Sequence, residues 1–281
     1  SAWSRGSGEC GLHCLSIELN HRRYGRPCKL RRLRDLVVCS IFIRNSAIEY
    51  GLGMGTQKMA LSSIELSPST RGFGRFERLL ARTAAERPLY DSVLFEHAGC
   101  VVAPTLGSIL PRWLLIVPRV PCANFRSWYS LTGINPTDLI AAVLSRCCVD
   151  PHEAIWFEHG AVEARSAVAC GVDHAHLHLL LKPAFSLEEL LAAANNNVAL
   201  DWNHLQADQA YASADPCASY VLGGSGTAAA YSRHIERVGS QYLRKAVAVL
   251  AGCPETWDYK VYPHLQQVQA TVDFVQPRQR Q

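Results

Sequence analysis

The chain has 281 residues, 48% hydrophobic and 19% charged, enough apolar material for one large globular domain or two modest ones. No apolar run approaches the roughly 20 residues a bilayer-spanning helix needs, which argues against such a helix within this sequence. The formal charge of +4 is unevenly placed: residues 1–58 carry ten Lys/Arg against four Asp/Glu, and the remaining 223 sum to −2. A body without excess positive charge offers no electrostatic footprint for nucleic acid, and no membrane contact is expected either.

Residues 1–58 read as a basic N-terminal extension. Within it, a basic run (residues 29–34) precedes a short apolar one (residues 36–43), as in a targeting segment. It lies far from residue 1, Asp35 interrupts it and no clear cleavage pattern follows, so a buried strand or a non-native extension is favoured. The only methionines are Met54 and Met59. Either an upstream piece is missing or translation starts near Met54. The 11 cysteines are odd in number and lack metal-type spacing, which fits a reducing, cytoplasmic setting.

Further along, residues 76–87 have the three-and-four apolar spacing of an amphipathic helix, ended by Pro88. Residues 92–97 and 100–104 predict a hairpin turning at Ala98-Gly99. Residues 113–118 form a short apolar run between prolines, as expected of a strand covered on both faces. Pro136 and Thr137 open a predicted helix over 135–144. A strand over 154–158 runs into a loop at His159-Gly160, and another is predicted over 172–181. Ser186 and Glu189 make a capping box for a helix to residue 194. A short strand near 219–224 and a helix over 231–250 complete an α+β pattern: an antiparallel sheet with flanking helices and a mostly helical C-terminal extension over 185–281.

The chemistry-bearing feature is the run in which His174, His176 and His178 alternate with Ala175 and Leu177. On a strand, alternate side chains share a face, roughly 6.5–7 Å apart, so three imidazoles form a row on a rigid element. Spacing alone leaves three readings open: satisfied packing histidines, a zinc site, or a nucleophile for phosphorus.

This run resembles the signature of the histidine-triad (HIT-like) superfamily, and other segments fall in the expected order. Residues 111–119 (Pro-Arg-Trp-Leu-Leu-Ile-Val-Pro-Arg) are similar to the family's upstream strand. Phe157-Glu-His-Gly160 resembles its glycine-bearing turn, and also the turn of hexose-1-phosphate uridylyltransferases. Residues 240–248 and 255–259 are similar to segments of longer bacterial-type members. The resemblance implies a catalytic domain over 59–184, with the helical extension packed on it. It implies His176 as nucleophile toward an α-phosphorus, flanked by His174 and His178, with His159 as a further donor. Nucleotide contacts are expected from Phe95, His97, Trp113, Arg165, Gln241 and Arg244. Gly171 stands where many small members carry Ser or Thr, and Arg112 where glycine is usual.

The expected activity is hydrolysis or nucleotidyl transfer on a nucleoside 5′-phosphate conjugate, with no obligate cofactor and room for zinc, as some transferase relatives hold. The rivals are a zinc-containing hexose-1-phosphate nucleotidylyltransferase-like enzyme and a nucleotide-binding or interaction module without turnover. The expected partner is a nucleotide, with a homodimer as an open alternative.

Overall fold

Short apolar runs with alternating side chains produce a sheet buried on both faces. The computed structural model describes residues 74–81, 87–162, 174–233, 235 and 238–276, all within the compact unit Lys58–Gln281. Its strands are β1 (Phe95–His97), β2 (Cys100–Pro104), β3 (Trp113–Pro118), β4 (Ala154–Gly160), β5 (Leu177–Leu181), β6 (Asn203–Gln206), β7 (Tyr220–Ser225) and β8 (Ala228–Ser232). They join in one antiparallel sheet of order β1-β2-β3-β5-β4-β7-β8-β6. The β1–β2 turn places Ala98 and Gly99 at φ 48° and 75°, the left-handed pair that matches strand twist in a two-residue hairpin.

The helices are α1 (Glu77–Leu80), α2 (Phe125–Thr132), α3 (Pro136–Arg146), α4 (Leu187–Asn195), α5 (Ala210–Ser213), α6 (Tyr242–Leu250) and α7 (Leu265–Val275). Their apolar residues divide between the two faces. Leu114, Ile116, Leu177, Leu179 and Trp156 pack with α2, α3, α5 and α7. Trp113, Leu180, Ile155 and Phe157 point the other way and pack with α4 and α6. On that second face, Phe76, Leu79 and Leu80 cover only Val101, Ala103, Leu115 and Val117. Two apolar patches therefore share one face, and the seam between them runs past the β3–β5–β4 ladder.

The α+β architecture with its antiparallel sheet is as the sequence indicates, and most element positions agree. The Ser186/Glu189 capping box is present, and Asn135 caps α3 with Pro136 at its first position. Several details differ. The first helix ends at Leu80, where Ala81 turns extended, and residues 82–86 of the expected helix lie outside the described residues. β4 continues through His159 and Gly160 because β7 pairs with it there, so those residues are strand and not loop. β5 starts at Leu177, leaving His174 and His176 on the approach to the strand; residues 172–173 of the longer prediction are not described. Tyr231 and Ser232 belong to β8, and the helix expected from 231 begins at Tyr242. The C-terminal extension is helical in most of its regular residues, yet it also adds three strands to the sheet. Residues 1–58 lie outside the description. Among the described residues no helix is long and apolar enough to cross a membrane, and six cysteines are free thiols.

Candidate active site

Register places Leu115, His178 and Phe157 side by side on β3, β5 and β4. They stand at the seam between the two apolar patches. His178 is clamped there: Phe157 stacks on it at 4.8 Å between centroids, and the Trp113 indole N–H donates to its Nδ1 at 3.1 Å. An indole N–H can only donate, so Nδ1 is the acceptor and the neutral ring carries its proton on Nε2.

His176 has the opposite tautomer. Its Nδ1 lies 2.9 Å from the His174 carbonyl oxygen, which can only accept. Nδ1 therefore holds the proton and Nε2 keeps its lone pair. Burial pushes the His176 pKa down to about 4. The ring is therefore neutral, and its Nε2 unprotonated, through the physiological range. The His178 ring centroid lies 5.2 Å away, and burial followed by His176 holds that ring's pKa well below the ordinary value. His174 is buried, and its Nε2–H donates to the Pro118 carbonyl at 2.7 Å, tying the approach segment to the end of β3. His159 accepts from the Leu243 backbone N–H at 3.5 Å, and burial lowers its pKa to about 3.

His159, His176 and His178 line a cleft with a volume of about 40 Å³. That is space for roughly three waters. Phe76 closes it on one side, 5.3 Å from the His176 ring, with Arg75 beside it. Gln241 and Arg244 also line it. Gln241 donates from Nε2 to Asp258 at 3.3 Å, and Arg244 donates from Nε to the Trp257 carbonyl at 2.6 Å. No group of three or more His, Cys, Asp or Glu side chains suited to a metal ion occurs among the described residues.

The structure thus brings together His159, His176, His178, Gln241 and Arg244. At 5% and 4% exposure, Gln241 and Arg244 are wall residues and not a solvated helix face. His174 and Trp113 stand behind the site as positioning residues, so Trp113 is not placed as a nucleotide contact. Phe95 and His97 are not part of the cleft: Phe95 packs in the core under Arg146, and His97 is exposed on the outermost strand. Strands β2 and β3 lie between edge strand β1 and β5, and neither side chain lines the cleft. Arg165 lies outside the described residues.

Sequence reasoning missed Arg75, Phe76 and Thr105 as wall residues. Nothing local marks them, because segments distant in sequence fold over the histidines. Glu158 is a different case. It shares the His159 motif but faces the opposite side, where it accepts from the Phe125 N–H at 2.6 Å and the Tyr220 hydroxyl at 2.8 Å. Burial raises its pKa to about 7. Its work is to anchor α2. Compared with known proteins, the sequence matches no family model and no curated protein.

Proposed function

We propose that the protein is a histidine-triad-type nucleotide hydrolase or nucleotidyl transferase that acts at the α-phosphate of a nucleoside 5′-phosphate conjugate. The observation that carries this reading is the tautomer of His176: its Nδ1 is bound to a carbonyl, and its Nε2 lone pair belongs to a ring that lines the cleft. His176 Nε2 attacks phosphorus, a P–N bond forms, and the P–O bond to the second group breaks with its electron pair on that oxygen. Positive charge develops on the imidazole, where the His174 carbonyl is already placed to stabilise it. His178 Nε2–H donates to a non-bridging oxygen. Water or another acceptor then attacks the phosphorus and loses its proton to solvent, while the P–N bond breaks with its electron pair returning to His176 Nε2. The reading includes a cytoplasmic setting, where the free thiols are stable.

Trapping tests it. The protein is incubated with adenosine and guanosine nucleotide conjugates, quenched in alkali and digested. The expected result is a nucleotide adduct on the peptide containing His176, with His176→Ala showing no adduct and turnover lower by at least about 10³-fold. Nucleotide binding without adduct or product would place the protein among non-catalytic modules, and unchanged turnover in His176→Ala would reject the assigned nucleophile.

A further inference from the structure

The cleft beside His176 holds roughly three waters, so any larger ligand needs one of its walls to move. Most walls are fixed in the fold. Leu115, Phe157 and His178 sit on paired strands, and the Thr105 N–H donates to the Trp113 carbonyl at 3.2 Å. Gln241 and Arg244 belong to the start of α6, whose Leu243, Ala246 and Val247 are core.

Residues 74–80 are attached differently. They bring Arg75 and Phe76 to the cleft, yet among the described residues no backbone hydrogen bond joins them to the sheet. Side chains hold them. Phe76, Leu79 and Leu80 bury against Val101, Ala103, Leu115 and Val117, a cluster separate from both larger cores. Arg75 pairs with Asp91 at 3.1 Å. Arg119 donates to the Leu80 carbonyl at 2.9 Å, and Arg87 to that of Arg78 at 3.3 Å. A short element held by one small apolar cluster and a few side-chain bonds is the kind that opens locally while a core stays folded.

We infer that residues 74–80 form a gate: they lift from β2 and β3 as a unit and admit ligand to His176 with the rest of the fold in place. Leu79 anchors the gate and Arg119 latches it, and neither lines the cleft. Such a gate controls access to the ring whatever chemistry follows there, so its test needs no turnover and stands apart from the adduct experiment.

Diethyl pyrocarbonate, a reagent larger than three waters, reads the opening. An unprotonated imidazole nitrogen attacks its carbonyl and an N–C bond forms. Ethyl carbonate leaves, takes up the proton released by the ring and breaks down to carbon dioxide and ethanol. Rates on the full chain at neutral pH are followed by tandem mass spectrometry at His176, with exposed His204 as the reference. In wild type, His176 reacts more slowly than His204, and its rate stays flat in urea well below the unfolding transition. Leu79→Ala raises the His176 rate by about 30-fold or more, the lower end for emptying a buried leucine site. Arg119→Gln raises it by about tenfold, as for one charge-assisted hydrogen bond, and guards against a folding defect in the alanine variant. Neither changes the rate at His204. A wild-type His176 that reacts as fast as His204, a rate untouched by both variants, or a wild-type rate that climbs with urea in step with global unfolding would each overturn the inference.

Discussion

His176 and His178 carry similar side chains in neighbouring positions, yet their protons sit on opposite nitrogens. The difference comes from what faces each Nδ1: a carbonyl oxygen for one, an indole N–H for the other. This division was legible only in part. Alternation with Ala175 and Leu177 marks the histidines as a unit, but a donor 65 positions away decides the tautomer of His178. The depressed pKa of His176 has a kinetic consequence. If His176 is the nucleophile, as proposed, the reactive form is the unprotonated ring, and activity is expected to be lost only as pH falls through about 4, well below the ordinary histidine range. A pH profile of single-turnover adduct formation checks this, and an acid limb near 6.5 would show that the ring is solvated in solution.

Among the elements, the β4–β7 pairing couples the site to the C-terminal extension. Gly160 ends β4 opposite Tyr220, and a Cβ there would overlap the Tyr220 ring. The same ring places its hydroxyl on Glu158, which in turn holds the first N–H of α2. Gly160→Ala should therefore destabilise the fold by about 3 kcal/mol, the upper range for overpacking a buried site. A chemical denaturation midpoint measures it; a cost below about 0.5 kcal/mol would mean that Tyr220 moves freely. Helix α2 itself was not foreseen, although Asn124 at its N-cap and Gly133 at φ 70° past its end are sequence signals. The helix expected over 231–250 starts too early: Tyr231 and Ser232 are strand. Tyr231 pairs with Asn203 on one side and Leu222 on the other, so its place between β6 and β7 overrides local propensity.

For the molecule as a whole, the buried histidines set the response to acid. Burial lowers the pKa of His159, His174, His176 and His178 in the folded state. Between about pH 6.5 and about pH 4 the unfolded chain therefore binds protons that the folded protein refuses. Stability falls as pH drops through that window. Glu158 acts in the reverse sense: its folded pKa is about 7 against 4.5, so it keeps a proton that the unfolded chain releases. Asp91, whose carboxyl burial also raises, acts in the same sense as Glu158; these two groups oppose four histidines, and the histidines prevail. Calorimetric melting should show a transition temperature that declines from pH 7 to pH 5; a flat or rising profile would mean that the imidazoles are hydrated.

The sheet ends at both sides in its shortest strands, three residues in β1 and four in β6. A ribbon that brief exposes few backbone donors and acceptors to a visitor, so neither rim templates addition of a foreign strand. Among the described residues, strand addition therefore finds little free backbone at either rim of the sheet.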